Sequence, residues 1–187
     1  MKANWLVMTA ALALSTTTSA KNYAATQPAT PVTFVGADEI KAVVEKNNTG
    51  AFSDSPLRVI SIESKYNVGV AVVRRSRVDG RMLPDALIHN DVTEVYQIVE
   101  GEGVLVTGGS LESAKPLTAA AVVGEIGPSS AGQSIVGGTS RHVGPGDIVI
   151  IPPQTPHGFV DITTPRIVYT IIRIDPHRVL ELQSKPQ

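Results

Sequence analysis

The sequence predicts an all-β domain, a sandwich or barrel of antiparallel strands behind one short helix, and three observations carry that prediction. From Pro56 onward the chain breaks into short runs rich in Val, Ile and Thr, separated by Gly, Pro, Asp and Asn. Ahead of these runs lies a single stretch whose apolar residues have helical spacing. A length of 187 residues, 42% hydrophobic and 18% charged, fits one hydrophobic core, and no repeat of the solenoid or propeller kind interrupts it.

Taken in order, residues 1–20 read as a signal peptide, with Lys2, an apolar run over 5–14 and small residues ending at Ala20. Cleavage is expected after Ala20, or next after Ala24 or Ala25. The apolar run falls short of the roughly 20 residues that span a bilayer. Residues 21–35, rich in Ala, Thr, Gln and Pro, read as a flexible tail. A single domain is expected over 36–182. It begins with an amphipathic helix over 37–46 that buries Ile40, Val43 and Val44, has Asp38 and Glu39 in its first turn, and is stopped by Asn47, Asn48 and Gly50. Strands are expected over 57–63, 67–75, 94–100, 104–107, 120–126, 133–136, 147–151, 158–161 and 167–175, giving a barrel core of about 57–175 with a short tail over 176–182. The Gly-, Ser- and Ala-rich segment 108–144 reads either as a long hairpin or flap beside the barrel mouth or as a loop without a functional part.

Composition excludes several function classes. Sixteen Lys and Arg against seventeen Asp and Glu leave a formal charge of -1 with no run of either sign, so no nucleic-acid partner is expected. Cysteine is absent, which removes disulfides, thiolate ligands, cysteine nucleophiles and a lipobox anchor. With the signal peptide, this makes a free periplasmic or secreted protein the expectation, without membrane attachment after cleavage.

Two stretches carry the chemistry. The first runs His89-Asn90-Asp91-Val92-Thr93-Glu94-Val95-Tyr96 to Gly101. The second runs Gly146-Asp147, then an apolar strand, then Pro152-Pro153-Gln154-Thr155-Pro156-His157. Together they resemble the paired motifs of the cupin superfamily, in which two His, a Glu and a Gly form the first motif, and a Gly-Asp turn, a Pro turn and a third His form the second. By that resemblance His89 stands for the second His, Glu94 for the Glu and His157 for the third His, whereas Leu87 holds the place of the first His. The resemblance covers about 58–175 and implies one antiparallel jelly-roll β-barrel, a metal site of His89, Glu94 and His157, and a homodimer. One barrel also sets the chain apart from storage proteins of that superfamily, which have two.

Two imidazoles and a carboxylate on neighbouring strands can occupy one face of a divalent ion and leave other positions open, an arrangement that suits Fe²⁺, Zn²⁺, Mn²⁺ or Ni²⁺. A second reading pairs His89 with Asp91, since residues two apart in a strand share a face. Alternation from Glu94 places Tyr96 and Ile98 on the site face, and alternation from His157 places Phe159 and Asp161 there. Tyr96 is therefore a candidate to bind substrate or donate a proton, or else a core aromatic at the rim. Arg74 and Arg75 point to opposite faces of one strand. Arg75 is taken as the candidate that faces the barrel and meets an anionic ligand, unless the strand ends there and both are solvated. His142 and His177 lie away from both motifs and receive no role.

Two function classes follow. One is a metal-dependent enzyme acting on a small oxygen-rich molecule, dioxygenase-like first and isomerase or lyase second. The other is a non-catalytic barrel that binds a small molecule with or without metal, which the loss of a ligand at Leu87 favours.

Overall fold

Alternating apolar runs become strands, and here they form two facing antiparallel sheets. The computed structural model describes residues 31–78 and 86–186; the expected signal peptide and most of the tail lie outside the described residues. In chain order the elements are α1 (Ala37–Lys46), β1 (Phe52–Ile62), β2 (Tyr66–Ser76), β3 (Ala86–His89), β4 (Thr93–Glu100), β5 (Gly103–Thr107), β6 (Ser110–Glu112) and β7 (Lys115–Pro116). There follow α2 (Ala120–Ile126), β8 (Ser129–Gly132), β9 (Ser134–Val136), β10 (Thr139–Val143), β11 (Ile148–Ile151), β12 (His157–Ile162) and β13 (Arg166–Asp175). No helix among the described residues is long and apolar enough to cross a membrane.

One sheet has the order β1-β2-β13-β4-β11 and the other β10-β5-β12-β3-β8-β7, while β6 and β9 form a small ribbon of their own. The chain passes from sheet to sheet at β2–β3, β3–β4, β4–β5, β10–β11, β11–β12 and β12–β13, so the expected jelly roll is what the strand order shows. Ala71, Val73, Tyr96, Ile98, Leu105, Phe159, Tyr169 and Ile171 fill the space between the sheets. The β4–β5 turn needs Gly101, which has φ 74°; a Cβ there would lie 1.9 Å from the Arg166 carbonyl oxygen.

Helix α1 lies on the outer face of the five-stranded sheet. Val43 and Val44 are buried against Leu57, Val72 and Val168, with Ile40 only partly buried. Arg74 points to this outer side and its guanidinium donates to the carbonyls of Asn47, Thr49 and Gly50 just beyond the helix. Those carbonyls need a donor, and Arg74 supplies it.

Three expectations are corrected. Residues 120–126 are not a strand but the second helix. Its Ala-rich start favours a helix, and Gly127 (φ 77°) ends it by donating its N–H to the Val123 carbonyl. A short apolar run does not distinguish the two by periodicity alone. The barrel begins earlier than residue 57, because Phe52–Pro56 continue the ladder of β1 onto Ala71–Arg75. Asp161 does not share the inner face with His157 and Phe159. A register shift between Phe159 and Asp161 turns Asp161 outward and brings Ile162 in.

The chain beyond β13 is held in place. Asp175, fully buried, accepts from the N–H groups of Val179 and Leu180, and Gln183 bridges to Val59.

Candidate metal centre

Each side chain of the expected trio sits at or next to the end of a strand. His89 closes β3, Glu94 is the second residue of β4, and His157 opens β12. The Pro-rich turn before His157 brings them together. Gln154 adopts φ 61°, a conformation unfavourable for a non-Gly residue. Two hydrogen bonds hold it there: its backbone N–H donates to the His89 carbonyl and its side-chain amide to the Asn90 carbonyl, at 2.8 and 3.0 Å. The turn is thus fastened to the end of β3, and the two imidazole rings lie with centroids 5.2 Å apart.

The three side chains are almost fully buried, and one ligand atom from each lies within 4.8 Å of the others. Asp91, the alternative carboxylate, is outside this cluster. Glu94 Oε2 stands 3.3 Å from His89 Nε2 and 3.4 Å from His157 Nε2. His157 Nε2 is buried and makes no hydrogen bond, since its contact with Glu94 is ion-pair proximity without hydrogen-bond geometry.

Hydrogen bonding assigns the tautomers. The Thr155 carbonyl, 2.9 Å from His157 Nδ1, can only accept, so Nδ1 carries the proton. Ser129 donates its one hydroxyl proton to the Gly127 carbonyl and so accepts from His89 Nδ1 at 2.7 Å. In their neutral forms both rings then turn an Nε2 lone pair toward Glu94 Oε2. Three converging electron-pair donors, with an orphaned buried nitrogen among them, fit a divalent cation, and the second ring nitrogen of each His is fixed as metal-binding histidines require. The spacings of 3.3 and 3.4 Å are long for hydrogen bonds but suit neighbouring ligands on one ion.

Glu94 is held from behind by Arg173 and Asp54, which neither motif contains. Arg173 on β13 stands directly opposite Glu94 in the ladder, and its Nε donates to Glu94 Oε1 at 2.9 Å. The same guanidinium reaches Asp54 Oδ2 at 2.5 Å. Tyr96 donates its hydroxyl to Glu94 Oε2 at 2.9 Å. Burial pushes the Glu94 carboxyl up, but the charge of His89 in its protonated form and that of the Arg173 guanidinium outweigh burial and hold it well below the usual carboxylate range. Burial, and then the Glu94 charge, raise the Tyr96 phenol well above its ordinary value. Tyr96 therefore stays protonated and is committed to Glu94.

A cavity of about 300 Å³ opens beside Glu94 and His89. Leu87 lines it, pairing in register with His157, so the place of a fourth ligand is an apolar wall. Leu117, Val122, Ile126 and Ala131 from the Gly-rich segment supply the facing wall, which makes that segment part of the cavity. Arg75 also lines it, with Phe52 stacked 4.4 Å from its guanidinium and its Nε donating to the Tyr169 hydroxyl at 2.9 Å. His142 and His177 are exposed and away from this cluster.

The family described as AraC-like ligand binding domain matches residues 131–187. No curated protein sequence matches the chain. Among solved structures, the DMSP lyase DddQ from Ruegeria pomeroyi is 18% identical with a TM-score of 0.43, over 77% of this chain and 52% of that one. An oxalate oxidase is 19% identical with a TM-score of 0.41, over 69% and 53%. A variant of Bacillus subtilis oxalate decarboxylase is 14% identical with a TM-score of 0.43, over 69% and 27%. The chain thus spans about a quarter to a half of the length of these proteins. The fold is an antiparallel jelly roll, the fold that the resemblance of the two motifs implied.

Proposed function

We propose that this protein is a cupin-type metalloprotein that binds a small molecule in its barrel cavity, next to a divalent ion held by His89, Glu94 and His157. The observation that carries the reading is the convergence of two oriented imidazoles and one carboxylate oxygen, with His157 Nε2 buried and without a hydrogen bond. A bound ion would supply Lewis acidity or, as Fe²⁺, dioxygen chemistry. The chain's own residues do the rest. Arg173 favours the ionised form of Glu94, Tyr96 and Arg173 together orient it, and Leu87, Leu117, Val122, Ile126 and Ala131 give the cavity an apolar wall. Arg75 offers the cavity a positive charge for an anionic ligand group. At about 300 Å³ the cavity is at the small end of ligand sites, so a compact, oxygen-rich substrate is the class proposed. Dioxygenase-like chemistry ranks first and isomerase or lyase chemistry second.

A second reading, a binding barrel without catalysis, draws on two observations. Both oxygens of Glu94 already accept hydrogen bonds, and the partial family match is to a ligand-binding domain. Elemental analysis of protein purified without an affinity tag separates the two readings. Stoichiometric metal that disappears in a His89→Ala, Glu94→Ala, His157→Ala triple variant supports the metalloprotein, to be followed by substrate screens with and without oxygen. Absence of metal after reconstitution leaves the binding barrel. Export and pairing into a homodimer belong to the same proposal; the mature mass and light scattering test them.

A further inference from the structure

Arg173 meets Glu94 through Oε1, whereas the two imidazoles approach the other carboxylate oxygen, Oε2. Its guanidinium is fixed on three sides: Nε to Glu94 Oε1, Nη2 to Asp54 Oδ2, and Nη1 to the Glu125 carbonyl at 3.4 Å. It is 3% exposed. Gly69 faces it across β2, where a Cβ would come within 3.2 Å of the Arg173 Cβ, so the ladder leaves this side chain room.

The consequence lies in how the two carboxylate oxygens of Glu94 are divided. Oε1 accepts from Arg173, whereas Oε2 accepts from Tyr96 and is the oxygen that approaches both histidines. A carboxylate without such a clamp is free to turn about its last torsion and offer either oxygen, or both. We infer that Arg173 is a positioning residue that fixes Glu94 as a one-oxygen ligand and ties its orientation, through Asp54, to strand β1. This rests on the metal reading above and deepens it. Specificity follows from the same geometry: a Glu94 confined to one oxygen favours ions content with few ligands over large ions that seek two oxygens from one carboxylate.

The test uses the full mature chain with Co²⁺ as probe, because its visible absorption reports both affinity and coordination number. Wild type, Arg173→Met, Arg173→Lys, Glu94→Gln and the Arg173→Met/Glu94→Gln double variant are titrated, with circular dichroism to check folding. Arg173→Met is expected to weaken Co²⁺ binding about 10- to 100-fold and alter the spectrum, as loss of an outer partner of a ligand does. Arg173→Lys should recover part of the affinity, because it keeps a cation but loses the fork. In the Glu94→Gln background, Arg173→Met should add little further loss, since Arg173 acts through that carboxylate. If Arg173→Met does not fold, the same cycle is run with Arg173→Lys. Wild-type affinity and spectrum in the Arg173 variants, or losses that add in full, would overturn the inference while leaving the metal site standing. No Co²⁺ uptake by wild type would overturn both.

Discussion

The two sheets hold their site residues by different means. In the five-stranded sheet the central strands β2, β13 and β4 run 11, 10 and 8 residues and are paired along almost their whole length. The six-stranded sheet is assembled from strands of two to six residues. Glu94, Tyr96 and Arg173 belong to the long ladder, where register alone puts Arg173 opposite Glu94. His89 and His157 belong to the short-stranded side, where they are oriented by hydrogen bonds to Ser129 and the Thr155 carbonyl and by the Gln154 turn. The carboxylate is therefore part of the framework, whereas the imidazoles are attached to it. Changing one should cost stability and metal together; changing the other should cost metal alone.

The largest effect is expected for Glu94→Ala, which leaves the buried Arg173 with Asp54 as its remaining carboxylate partner. Removing one partner of a buried ion network costs about 3 kcal/mol or more, so urea unfolding should shift markedly even without metal. The near-isosteric Glu94→Gln should recover part of that loss by still accepting a hydrogen bond. An unchanged unfolding midpoint in Glu94→Ala would show that the long ladder does not depend on this pair.

Next comes Val44→Asp, on the outer side of the same sheet. It places a charge among Leu57, Val72 and Val168, with an expected cost of about 2 to 3 kcal/mol. Metal content of the folded fraction should be unchanged, because α1 and the cavity lie on opposite faces of the sheet. Metal loss at equal folding would mean that the sheet transmits strain from one face to the other.

On the short-stranded side, His157→Ala should abolish most metal binding while changing stability by about 1 kcal/mol or less. Nε2 makes no hydrogen bond and Nδ1 bonds only to the Thr155 carbonyl. Elemental analysis and a thermal melt on the same sample decide it. A loss of stability as large as that of Glu94→Ala would erase the difference between the sheets.

The same division explains which features are legible in the sequence. Strict alternation along 94–98 is enough to place Glu94, Tyr96 and Ile98 on the inner face, because a long, regularly paired strand keeps the period of two. Alternation fails at Asp161, where a bulge on the short-stranded side changes the count. Residues 120–126 mislead for another reason: Ala-Ala-Val-Val serves a helix or a buried strand equally until packing decides. Arg173 is not legible, since a lone Arg near the end of an apolar strand looks like a solvated terminus. Its partner Asp54 sits among Ser53, Ser55 and Pro56, residues that read as a loop.

The smallest effect should come from a second carboxylate–arginine pair on the same two strands, Glu100 with Arg166, whose contacts of 2.7 and 2.9 Å copy the chemistry of Glu94 and Arg173 in the open. The Glu100 side chain is 49% exposed, so water screens the pair. Its hydrogen bond to Arg166 lowers the Glu100 carboxyl below the ordinary value, against a weaker upward push from burial. A carboxyl with a lowered folded-state value stabilises the fold above the ordinary carboxylate range, at about pH 4.3 and higher, and loses that contribution as acid takes the pH down through the lowered value. Screening limits the contribution to about 1 kcal/mol or less. Urea midpoints for Glu100→Gln and wild type should differ slightly at pH 7, converge below about pH 4, and draw together at pH 7 in molar salt. A difference that persists in acid or in salt would mean that Glu100 acts by packing, and that exposure is not what separates this pair from the buried one beside the histidines.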